Sequence, residues 1–125
     1  IWMFCRNDQR NVPLVYHSED FGEHWSAPMT HNLPLSNSKI YTGTLSDGRN
    51  YLIGNLYPRR ERLAIFFSEP HSLAFRRGYL LQNGENASLN LRPEWSYPCA
   101  WEEDGKLYVA YTSWKKNAVL SILPL

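Results

Sequence analysis

The sequence predicts an all-β fold built from a repeated antiparallel unit, on three observations. Apolar runs of strand length recur between turn signals along all 125 residues, and no long segment carries a helical period. The turns Ser46-Asp47-Gly48-Arg49 and Glu103-Asp104-Gly105-Lys106 each join two such runs as hairpins do. The octapeptide Ser18-Glu19-Asp20-Phe21-Gly22-Glu23-His24-Trp25 has the form S-x-D-x-G-x-x-W. It returns eroded, 50 residues later, as Ser68-Glu69-Pro70-His71-Ser72-Leu73-Ala74-Phe75, with serine and terminal aromatic kept. A period of that length marks a supersecondary unit repeated along the chain.

The elements follow in order. A strand at 2–6 is apolar until Arg6 emerges at its end, and a second spans 14–18. The octapeptide then makes a tight turn. Gly22 can take positive φ there, Asp20 can bond nearby amides, and Trp25 can pack under the turn as an apolar plug before a strand at 25–28. Strands at 39–45 and 50–55 flank the first Asp-Gly turn, 63–68 leads into the eroded octapeptide, and 78–82 follows it. Strands at 97–101 and 106–112 flank the second Asp-Gly turn, and 118–123 closes the chain. Residues 2–7 correspond to 51–55 and to 108–112, and residues 12–20 to 62–70. Three repeats result, with boundaries near 38 and 95: an opening one lacking its first strand, a complete middle one, and a closing one that stops at Leu125.

Composition narrows the function. The chain is 43% hydrophobic and 14% aromatic, with five Trp and eight Tyr, which suits β cores and the flat platforms of carbohydrate sites. A formal charge of +1 without any long basic run argues against nucleic acid. No apolar stretch is long enough to span a bilayer, so no membrane insertion is expected. Cys5 and Cys99 sit in apolar runs, where buried free thiols are the simpler expectation and a disulfide the alternative. Asn86-Ala87-Ser88 is a glycosylation sequon. His17, His24, His31 and His71 lack zinc-ligand spacing, and no Gly-rich phosphate loop is present, so no metal and no cofactor is expected.

These motifs resemble those of the sialidase superfamily of Asp-box, or BNR-repeat, β-propellers, and of its divergent bacterial members above all. The resemblance covers essentially the whole chain. It rests on both octapeptides, on Ile1-Trp2-Met3-Phe4-Cys5-Arg6-Asn7, on Leu45-Ser46-Asp47-Gly48-Arg49, and on Ser96-Tyr97-Pro98 followed by the run from Asp104 to Thr112. It implies part of a six-bladed propeller, about three blades of antiparallel strands, forming the C-terminal part of a single domain. Its first partner would be the remainder of its own propeller. The chain begins on a strand without an initiator Met, which agrees with that expectation. A secreted or periplasmic location follows from the same resemblance.

The resemblance also implies roles. Sialidases grip a substrate carboxylate with three arginines and use a Tyr–Glu pair as nucleophile with an Asp as acid/base. Arg6 matches the second arginine, and a guanidinium can pair bidentately with a carboxylate. The third falls on Arg60, with Arg59 and Arg62 as near rivals; a solvated loop is the competing explanation of this cluster. Tyr97 matches the nucleophile, although Pro98 stands where active sialidases usually carry Ser, and a core tyrosine is the alternative. The partner Glu, the first arginine and the acid/base Asp would precede Ile1, so the fragment alone is expected to be inactive. Ser18, Asp20, Gly22 and Trp25 form the structural Asp-box.

Among other candidates, Glu102-Glu103-Asp104 reads as a solvated hairpin, whereas Glu94 leads directly into the strand bearing Tyr97. Trp101 is expected in the core. Trp95 and Trp114 are expected near strand ends, as blade packing or as sugar platforms. The expected function is therefore a carbohydrate-active propeller, an exo-glycosidase on an anionic, sialic-acid-like glycoside when complete. The alternative is a non-catalytic glycan-binding propeller with a vestigial or arginine-lined pocket.

Overall fold

The computed structural model describes residues 1–84 and 93–125, and among these it is all-β with no helix. The sequon at Asn86 lies outside the described residues. The strands are β1 (Trp2–Cys5), β2 (Leu14–His17), β3 (Met29–Thr30), β4 (Tyr41–Thr44), β5 (Arg49–Asn55), β6 (Arg62–Pro70), β7 (Phe75–Asn83), β8 (Trp95–Glu103), β9 (Lys106–Ser113) and β10 (Asn117–Pro124). They form three antiparallel meanders, β1-β2-β3, β4-β5-β6-β7 and β8-β9-β10, which is a partial propeller.

Turn chemistry explains the strand order. Asp104 and Gly105 both have positive φ, 50° and 68°, as a two-residue hairpin requires, and Gly48 supplies a φ of 85° in the β4–β5 turn. The two octapeptides fold alike. Phe21 and His71, each three residues after the serine, have φ of 59° and 57°. Ser18 and Ser68 are both buried below.

The last strand of the opening sheet begins later than the sequence suggests. Ser26 N–H donates to the His17 carbonyl at 2.8 Å, and His17 N–H donates to Ser26 Oγ at 3.1 Å. That side-chain bond replaces a ladder bond, and Pro28 has no N–H to give, so pairing resumes only at Met29 opposite Val15.

The core lies between sheets. Tyr51, Ile53, Leu63 and Ile65 of the middle sheet pack on Ala100, Leu107, Val109 and Tyr111 of the closing one. A smaller cluster of Leu33, Leu35 and Leu52, with Phe4 and Phe75 against it, joins the opening and middle sheets. Burial alternates along β9, where Leu107, Val109 and Tyr111 turn inward. Polar ties cross the same seams. Tyr41 hydroxyl donates to the Ala100 carbonyl at 2.9 Å, and His31 Nε2 lies 3.2 Å from the Leu73 carbonyl.

Two placements differ from expectation. Trp101 is 45% exposed and stacks on Tyr108 rather than entering the core, because β8 turns Tyr97, Cys99 and Trp101 away from the middle sheet. Cys99 is thus exposed, Cys5 is half-buried, and both thiols are free.

Candidate functional site

The three second strands, β1, β5 and β9, run toward equivalent ends, at residues 6–13, 56–61 and 114–116. The octapeptide turns follow the third strands and therefore lie at the opposite end. Arg6, Arg60 and Lys115 emerge at the first end, and β8 starts there too, since Trp95 pairs with Ser113.

Asn55 fixes this end of the middle sheet. Its Nδ2 donates to the carbonyls of Trp95 at 2.9 Å, Arg60 at 3.3 Å and Arg62 at 3.4 Å, while its Oδ1 is buried without a partner among the described residues. Trp95 N–H returns a bond to the Arg60 carbonyl at 3.1 Å. The loop bearing Arg60 is therefore held against the next sheet from both strands of the seam.

The Arg60 side chain crosses that seam. Its Nη1 donates to Glu94 Oε1 at 2.9 Å and to Ser96 Oγ at 3.3 Å, and its guanidinium carbon lies 6.0 Å from the centre of the Tyr97 ring. Ser96 Oγ donates to the same Glu94 oxygen at 2.8 Å, and Lys115 Nζ lies 3.4 Å from it. Partial burial pushes the Glu94 carboxyl up. The Ser96 and Arg60 hydrogen bonds and the Lys115 charge outweigh that and leave it below its ordinary value. An open cleft of about 310 Å³ adjoins the cluster, lined by Ser36, Asn37, Pro58, Arg59, Arg60, Glu61, Pro93 and Glu94.

Tyr97 stands out of the β8 ladder. Register slips between the pairs Ser96–Thr112 and Cys99–Ala110, because Pro98 cannot donate, and Tyr97 takes φ of 56°. A bulky residue in that region costs on the order of 1–3 kcal/mol and persists only where its surroundings impose it. The ring is 51% exposed, so it is available at the surface and is not a core tyrosine.

The other arginines sit elsewhere. Arg6 ends its strand at the same end, pairs loosely with Asp8 at 3.7 Å, and lines a separate opening of about 460 Å³ with Asn7, Gln9 and Arg10. None of the described clefts brings Arg6 and Tyr97 together. Arg62 Nη2 donates to the Tyr57 carbonyl at 2.7 Å and so braces its own loop. Arg59 pairs with Glu61 at 3.4 Å.

The Asp-box is a closed hydrogen-bond unit. Ser18 Oγ accepts from Gly22 N–H at 2.8 Å and donates to Asp20 Oδ1 at 2.8 Å, and that oxygen also accepts from His24 N–H at 2.9 Å. The bonds from His24 backbone and ring, then that from Ser18, hold the Asp20 carboxyl down to about 2. Trp25 Nε1 donates to the Gly22 carbonyl at 3.0 Å, but the ring is 38% exposed, so it lies beside the turn more than beneath it. The possible ligand atoms of Asp20, Glu23 and His24 lie within 4.8 Å of one another, with the Asp20 oxygens already engaged.

Sequence reasoning left Glu94 open and passed over Ser96 and Lys115. Their signal was only proximity to Tyr97 and to a hairpin tip. What joins them is the register between β8 and β9, which motif spacing does not carry.

No curated protein and no solved structure matches the chain. A family model for the BNR repeat-like domain matches residues 1–109. With its Asp-box turn, its repeated serine–aromatic spacing and its stacked four-stranded unit, the chain belongs to the BNR repeat-like domain family, within the sialidase/BNR-repeat superfamily.

Proposed function

We propose that this chain supplies part of the carbohydrate site of a sialidase-like propeller that hydrolyses an anionic, sialic-acid-like glycoside when its ring is complete. The observation that carries this reading is the Arg60 guanidinium, held at the lip of a cleft beside the exposed ring of Tyr97. A fixed guanidinium suits a carboxylate through paired hydrogen bonds. A tyrosine is a suitable nucleophile beside such a substrate because, when neutral, it is not repelled by the acid. Arg6, one blade earlier, lines a separate opening and takes no part in this cleft. Arg62 serves the site indirectly, by bracing the loop that carries Arg60.

The required partner is the remainder of the propeller. Hydrogen bonds between Ile1 and Ser18 set the β1 pairing so that the Trp2 and Phe4 backbones point away from β2. Beside them a groove of about 500 Å³ runs against Thr42, Gly43 and Thr44 of the middle sheet, where an inner strand would lie.

The test is made in the protein with its full ring, using an aryl glycoside of N-acetylneuraminic acid. Tyr97→Phe is expected to lower kcat at least ~100-fold while KM changes little. Tight binding without turnover by the unmutated protein would favour the non-catalytic glycan-binding reading.

A further inference from the structure

Three elements on two neighbouring sheets converge on one atom. Arg60 comes from the loop between β5 and β6, Ser96 from the start of β8, and Lys115 from the turn between β9 and β10, and all three address Glu94 Oε1. We infer that Glu94 is a positioning residue, which fixes one corner of the Arg60 guanidinium so that its opposite edge faces a ligand carboxylate. The inference rests on the anion-binding reading of Arg60.

The geometry separates this role from simple charge balance. Each hydrogen bond recorded for the Arg60 side chain among the described residues leaves from Nη1. The Nη2–Nε edge, one of the two that can form paired bonds with a carboxylate, carries none of these hydrogen bonds. An arginine free in solution must give up side-chain freedom when it binds, and one already pinned gives up less. Glu94 is itself anchored. Glu94 and Arg60 side chains are each under one-third exposed, and the Glu94 carbonyl accepts from Trp114 N–H at 2.7 Å. Lys115, more exposed, shares the oxygen and keeps the local charge net positive toward an anion. The groups facing Glu94 are thus Arg60, with Arg59 and Glu61, from one side and Lys115 from the other.

If Glu94 acted only as a competing negative charge, removing it would strengthen anion binding. Positioning predicts the reverse. The probe is free N-acetylneuraminic acid, with its methyl ester as the uncharged control, titrated into the protein with its full ring and followed at the Arg60 Nε–Hε resonance. Glu94→Ala is expected to weaken affinity about 10-fold and to broaden that resonance. Glu94→Asp keeps the charge and the fold but withdraws the oxygen by one methylene, and is expected to weaken binding at least ~3-fold. Affinity unchanged in Glu94→Asp, or raised in Glu94→Ala, overturns the positioning role. Binding that survives Arg60→Ala, or equal binding of acid and ester, overturns the anion site itself and the inference with it.

Discussion

At the residue scale, single side chains replace backbone bonds at several places where the described chain departs from regular strand. Asn55 fills a position where the β5 ladder ends, and one amide group reaches three carbonyls on two sheets. Ser18 and Asp20 do the same for the Asp-box. Because the Asp20 carboxyl sits at about 2 in the fold against an ordinary 3.8, its contribution is complete above about pH 4 and is lost as pH falls through 2. Asp20→Ala should lower the thermal midpoint at pH 7, and the gap from the unmutated chain should close between pH 4 and pH 2. A gap that persists unchanged at pH 2 would mean that the charge is not what holds the turn. Tyr97 follows another logic. Its left-handed backbone lies at the register slip beside the fixed Ser96, although a following proline favours extended backbone, and the aromatic ring stands outside the ladder.

At the element scale, close approach decides which residues the strands accept. In β4, Gly43 lies opposite Tyr51, and a Cβ there would overlap the Tyr51 ring. That ring is buried in the seam with the closing sheet, so moving it aside would disturb its packing there. Gly43→Val is expected to cost about 1–3 kcal/mol by overpacking, measured as a lowered urea midpoint. A neutral result would show that the Tyr51 ring can swing into the groove beside β1. The short β3 has the opposite cause: nothing crowds it, but Ser26 and Pro28 withdraw the bonds that a longer strand needs.

At the scale of the whole molecule, the sheets are apolar on faces that nothing described covers. β10 turns Val119 and Leu123 toward the core, yet leaves Leu120 and Ile122 about half exposed on the face that also carries Trp101. A sheet apolar on both faces is built to be covered on both. The chain by itself should therefore self-associate, as seen by sedimentation, and Leu120→Lys with Ile122→Lys should shift it toward monomer without loss of β-sheet circular dichroism. Association unaffected by these changes would move the sticky surface to the edge of β1.

The sequence by itself determined most of the strands, β3 excepted, and the turns between them, because those are local: an Asp-Gly hairpin, a buried serine and the alternation of apolar residues act within a few residues of one another. It also pointed to Arg60 and Tyr97 through motif position. Only the tertiary structure decided which side chains meet. The Arg60–Glu94–Lys115 cluster depends on how two sheets stack and on the β8–β9 register that sets Glu94 beside the turn bearing Trp114 and Lys115. The same stacking put Trp101 and Cys99 on an open face and set Arg6 in a cleft apart from Arg60. Contacts between sheets are long-range in sequence, and no local pattern encodes them.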